Sequence, residues 1–131
     1  MYEILEHTTD VRLRVVARDR EQLFRESVEA LMASMKVDAH GSDAERETVE
    51  LDAPDLTALL VDFLGEILLR AQIHQRAYEV IELLSLGGTH LEAVLESRAA
   101  WFGEDVKAVT YHEADVRETS NGWTTNLILD I

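Results

Sequence analysis

His7-Thr8-Thr9-Asp10-Val11-Arg12-Leu13-Arg14-Val15 is a polar turn that runs directly into an alternating segment, and the reading of the whole chain starts from it. Apolar residues at every second position give one water-shunning face, so the segment is a half-buried strand with Val11, Leu13 and Val15 inward. Asp10 stands at the mouth of that strand. The other extremity reads Asp130-Ile131, which sets a side-chain carboxylate next to the α-carboxylate of Ile131. If the two extremities meet, three anionic groups share a small volume, and only protonation or a cation offsets their repulsion. The expected constellation is Asp10, Asp130 and Ile131 around a hard divalent metal, Ca2+ or Mg2+/Mn2+.

The 131 residues suit a single domain able to bury a core without disulfides or a zinc knot. There is no cysteine, which removes thiolate metal sites and thiol redox chemistry. No basic-then-apolar leader is visible. The longest apolar run, Leu56 to Leu68, is broken by Asp62 and Glu66, so it reads as a core helix and not a membrane span. A soluble cytoplasmic protein is expected. With 26 acidic against 12 basic residues the formal charge is −14, which repels polyanions and disfavours direct, tight nucleic-acid binding. The same field steers the chain toward a basic partner.

Taken in order, Tyr2 to Leu5 reads as an edge strand and Val11 to about Ala17 as the strand after the turn. Asp19 with Gln22 resembles a capping box that opens a helix through about Met35. Val37 to Glu45, with Gly41, reads as a loop. Thr48 to Asp52 alternates as a strand, and Pro54 is placed in the first turn of a long helix, where its missing N–H costs nothing. Gly65 inside that helix costs roughly 1 kcal/mol against alanine, for which close backbone packing is the expected reason. Tyr78 to Leu86 and Leu91 to Trp101 flank Gly87-Gly88 as a hairpin.

The last hairpin joins Val106–Thr119 to Trp123–Ile131 through Asn121-Gly122, the strongest short-range hairpin signal in the sequence. A two-residue turn there predicts Val116 opposite Leu127, His112 opposite Ile131 and Glu113 opposite Asp130. Two carboxylates facing across a ladder are destabilising, so a bulge, solvent exposure or a cation is expected at that point. The order strand, helix, strands occurs twice. The fold class is therefore α+β: two nested strand-helix-strand-strand modules, an outer one of about 1–44 plus 103–131 and an inserted one of about 45–102, forming mixed or antiparallel sheet against two helices.

The His7 to Val11 turn, the Leu59-Leu60-Val61-Asp62-Phe63-Leu64 helix, Gly103-Glu104, the Lys107 to His112 block and the terminal Asp130-Ile131 together resemble the archease family, over essentially the whole chain. Thr9 stands where the family usually has alanine, and the segment after Glu104 is short. The resemblance implies an accessory protein and not an enzyme: an activator of GTP-dependent RNA ligases of the RtcB type that promotes guanylylation and multiple turnover in tRNA splicing. It also implies a chaperone-like modulator of a tRNA methyltransferase. By the same resemblance Asp10, Asp130 and the Ile131 carboxylate form the family's metal site.

Each residue also has a plainer reading. Asp10 alone would be a turn-bonding residue, and Asp130 alone a solvated residue at a chain end, but Leu127, Ile128, Leu129 and Ile131 supply apolar anchors for that end. His7 and His112 are surface or half-buried structural histidines, or else orienters of the carboxylates. Lys107 pairs with Glu104 on the surface, or else touches the partner. The rival classes are a metal-dependent hydrolase using Asp10 and Asp130, and a small-ligand binding module.

Overall fold

The computed structural model describes residues 1–131. Its elements are β1 (Tyr2–Glu6), β2 (Asp10–Ala17), α1 (Arg20–Ser34), β3 (Val37–Ala39), β4 (Glu45–Asp52), α2 (Leu56–His74), β5 (Arg76–Leu86), β6 (His90–Phe102), β7 (Ala108–Thr119) and β8 (Gly122–Asp130). The first sheet has the order β1-β2-β8-β7 and draws its strands from both chain extremities. In the second, β6 pairs with β3, β4 and β5. Every pairing is antiparallel, and the α+β class holds. No helix is long and apolar enough to cross a membrane.

Local chemistry explains where the helices begin. The Asp19 carboxylate accepts from the Gln22 N–H at 2.8 Å, while the Gln22 amide oxygen accepts from the Arg18 N–H at 2.8 Å, so two donors at the helix entrance are satisfied. Asp55 does the same for α2 by accepting from the Ala58 N–H at 2.8 Å. Pro54 thus lies one residue before the cap, not in the first turn. Gln75 ends α2 in the left-handed conformation, φ 54°, a common helix stop.

A single cluster of 30 buried residues forms the core. Val11, Leu13 and Val15 of β2, Leu23, Phe24, Val28 and Leu31 of α1, and Leu59, Leu60, Phe63, Leu64 and Ile67 of α2 are all at most 3 % exposed. Each helix touches strands of both sheets, so the two sheets are joined through one apolar interior. Where β5 bulges at Ile81, the Arg25 guanidinium of α1 donates to the Val80 carbonyl at 2.8 Å and to the Ile81 carbonyl at 3.4 Å. Carbonyls that the bulge takes out of regular pairing thereby gain a donor.

Four further expectations are corrected. Val37–Ala39 is a short strand on β6 within the stretch read as a loop; its three residues are too few for alternation to be seen. The final turn is Ser120-Asn121, with Thr119 opposite Gly122, because Gly122 has a backbone, φ +142°, that only glycine adopts comfortably and sits inside β8. The ladder then breaks: Thr110 pairs with Ile128 and Asp115 with Asn126, so Tyr111 to Ala114 bulge opposite Leu127. Val116 consequently faces Thr125 and Asp130 faces Ala108, where Leu127 and Glu113 had been expected. Finally, a Cβ built on Gly65 meets nothing within 4 Å, so close backbone packing does not account for that glycine.

Gly122 also lies against the end of β2: a Cβ there would stand 2.3 Å from the Ala17 carbonyl oxygen. Clash and left-handed strain combine, and the Gly122→Ala variant is expected to lose about 2–4 kcal/mol of stability, measured as a lowered urea midpoint at unchanged slope. A midpoint equal to that of the unaltered protein would show that the β2–β8 junction is not packed this closely.

Candidate metal centre

β2 pairs with β8 in unbroken register from Asp10 opposite Asp130 to Ala17 opposite Trp123. Directly opposed residues of an antiparallel pair project to the same side, with Cα atoms roughly 4.5–5.5 Å apart. Val11, Leu13 and Val15 share the buried side with Leu127 and Leu129. By alternation Asp10, Arg12, Ile128 and Asp130 occupy the outer side. The two acidic residues from opposite extremities therefore face one another across the middle of a sheet.

Backbone bonds hold them there. The His7 N–H donates to the Asp10 carbonyl at 3.0 Å, closing the polar turn, and the Lys107 N–H donates to the Asp130 carbonyl at 2.7 Å. Asp130 is opposite Ala108 as well as Asp10, so it is flanked on both sides. Ile131 packs its side chain against the core cluster, which anchors the main chain beyond Asp130.

The carboxylates differ in surroundings. Asp10 Oδ1 is buried and has no hydrogen-bond partner, whereas Asp130 is exposed. An unpartnered buried carboxylate oxygen is costly unless a cation compensates it. The Arg12 Nε lies 3.9 Å from Asp10 Oδ1, beyond hydrogen-bond range, and Arg12 Nη1 donates to Glu113 Oε2 at 3.1 Å. Glu113 reaches Arg12 from the β7 bulge, where its own φ is 56°. Ile128, on the outer side yet only 7 % exposed, lies in a hollow that Leu5, Arg12 and Glu113 also line.

Of the residues singled out from sequence, the structure brings Asp10 and Asp130 together, with Ile131 following Asp130 in the chain. His7 and His112 are exposed, and neither imidazole takes part in a side-chain hydrogen bond. Lys107 does not pair with Glu104, whose carboxylate lies 3.9 Å from Lys36 Nζ; the β7 start carries Lys107 away to line a groove beside α2. No group of three or more His, Asp or Glu side chains is placed to hold a metal. Two opposed side-chain carboxylates, one with an orphaned buried oxygen, are hard donors that fit Ca2+, Mg2+ or Mn2+. Arg12 was missed in the sequence reading, although two-residue spacing on β2 puts it on the same side as Asp10.

The Archease protein family (MTH1598/TM1083) matches residues 2–131. The archease of Methanopyrus kandleri is 32 % identical, with 99 % of each chain covered, and that of Methanosarcina mazei is 30 % identical, covering 99 % of this chain and 95 % of the relative. Among solved structures, an archease from Thermotoga maritima described as a possible chaperone superimposes with a TM-score of 0.71 at 18 % identity, over 100 % of this chain and 98 % of that one. Protein 1598 of Methanobacterium thermoautotrophicum gives 0.69 at 20 %, over 99 % and 98 %. The fold agrees with both, and the match along nearly the entire sequence places this chain in the archease family.

Proposed function

We propose that this chain is an accessory protein, not an enzyme: it binds a GTP-dependent RNA ligase of the RtcB type and promotes guanylylation of that ligase and its multiple turnover in tRNA splicing. The observation that carries the reading is the Asp10–Asp130 juxtaposition with its orphaned Asp10 oxygen, taken with family membership. Asp10, Asp130 and the Ile131 carboxylate would hold a divalent cation. That cation supplies a fixed positive charge among oxygen donors. The protein's own residues do the rest: Ile131 anchors the end of the chain, the Lys107 N–H holds the Asp130 main chain, and Arg12 offsets the charge of Asp10 and Glu113.

Activation of this kind is a shift in the ligase's conformational equilibrium, and it requires tighter binding to the state that accepts GTP. The net charge of −14 favours docking on a basic, RNA-holding surface. A second, chaperone-like role on a tRNA methyltransferase would follow the same protein-directed logic; the Thermotoga archease is itself described as a possible chaperone. A hydrolase reading finds less support, since no side-chain hydroxyl or imidazole hydrogen-bonds Asp10 or Asp130 to serve as nucleophile or base.

Single-turnover guanylylation of an RtcB-type ligase tests the proposal. The unaltered chain is expected to accelerate the step, and Asp10→Ala and Asp130→Ala to lower that acceleration about ten-fold or more. Equal acceleration by all three proteins would contradict a role for the carboxylates.

Stability reports on the cation separately. In a chelator, Asp130→Asn relieves like-charge opposition and is expected to gain about 0.2–1 kcal/mol. Ca2+, Mg2+ or Mn2+ at a hundred times its Kd is expected to stabilise the unaltered chain by about 2.7 kcal/mol, and Asp130→Asn, or a chain extended by one residue beyond Ile131, by much less. A melting temperature of the unaltered chain indifferent to all three ions would contradict the site.

A further inference from the structure

α1, β3, β5 and β6 border a hollow of about 330 Å3. Most of its lining is apolar: Met32 of α1, Val37 and Ala39 of β3, and Ala77 and Tyr78 of β5. Met32 and Tyr78 are at most 5 % exposed, and the Tyr78 hydroxyl is engaged by Glu47, to which it donates at 2.8 Å. Three carboxylates complete the lining, Glu29 of α1, Glu79 of β5 and Glu96 of β6, together with one cation, Arg98.

These charges do not cancel. Glu96 is compensated twice, by Arg46 Nε at 3.2 Å and by Arg98 Nη2 at 3.6 Å, and Arg98 also donates to the Ser42 carbonyl at 3.0 Å. Glu29 and Glu79 form no ion pair. For Glu29 the reason is local. Arg25 stands four residues before it on α1, the spacing of a helical ion pair, but the Arg25 guanidinium is committed to the Val80 and Ile81 carbonyls at the β5 bulge. For Glu79 the reason is register: it lies directly opposite Glu96, an arrangement of like charges that costs stability. Two uncompensated carboxylates, from different elements, thus line one apolar hollow. Its complement is a lysine or arginine side chain, whose apolar stem suits the lining and whose cationic head suits Glu29 and Glu79. A second copy of this chain is a poor source, since two chains of charge −14 repel one another.

We propose that this hollow is a docking point for a protein partner and receives one of its lysine or arginine side chains, with the cationic head on Glu29 and Glu79. Resting on the function proposed above, the partner is the RNA ligase, whose RNA-holding surface is basic. No lining residue belongs to β1, β2, β7 or β8, so the contact is separate from the Asp10–Asp130 carboxylates and adds a second point of attachment.

Calorimetric titration of an RtcB-type ligase with the full chain tests this. Glu29→Gln and Glu79→Gln are each expected to weaken binding about five-fold, with urea midpoints not lowered. Ala39→Leu, which fills the hollow at unchanged charge, is expected to weaken it by a similar factor. Glu118→Gln removes the same charge from an exposed position of β7, outside the hollow, and is expected to leave the affinity within about two-fold of the unaltered chain. Affinity retained within about two-fold by Glu29→Gln, Glu79→Gln or Ala39→Leu, or an equal loss in Glu118→Gln, overturns the docking point while leaving the function standing. An unaltered chain with no affinity for the ligase overturns both.

Discussion

Pairing of β2 with β8 is the constraint on which the rest of the molecule depends. These strands come from opposite extremities of the chain, and their uninterrupted register from Asp10–Asp130 to Ala17–Trp123 makes them the two central strands of the first sheet. Their buried side chains meet α1 and the common core, so shifting the register by one residue would turn Val11, Leu13 and Val15 out to water. The apolar alternation thus fixes the partner of Asp10. Two carboxylates are brought together by the burial of their neighbours, at a position that their own repulsion would not select.

Around that pair the fold holds the main chain and leaves the carboxylates only partly compensated. One oxygen of Asp10 is withdrawn from water without a hydrogen bond, and the main chain at Asp130 is held by Lys107. Arg12 bridges toward Glu113 of the β7 bulge. The bulge places four residues, Tyr111 to Ala114, opposite Leu127. Its Glu113 lines the same hollow as Ile128, and its Tyr111 donates to Asp62 of α2. The same few residues therefore link the carboxylate pair, the bulge and the long helix.

Much of this was legible beforehand because it rests on short-range patterns. The alternation of Val11 to Val15, the Asp19 and Gln22 cap and the apolar face of α2 each follow from periodicity or from a donor that must be satisfied. The diglycine hairpin and the meeting of the chain ends were readable too. What escaped depends on tertiary context. A three-residue strand such as Val37–Ala39 has no period of its own and exists because β6 runs on past β4 to pair with it. The β7 register could not be counted from the Asn-Gly turn, since the turn begins one residue earlier and the bulge resets the ladder. Gly65 looked like a packing residue because helix interiors usually keep glycine for that reason, and only the open space beside it shows otherwise.

Diffraction from crystals grown with Mn2+ tests the central claim most directly, because the anomalous signal locates the ion independently of any assay. An anomalous peak between the Asp10 and Asp130 carboxylates, within about 2.0–2.6 Å of their oxygens, is the predicted result. Those two carboxylates remaining opposed with no peak between them, at an ion concentration that labels other sites, would contradict it.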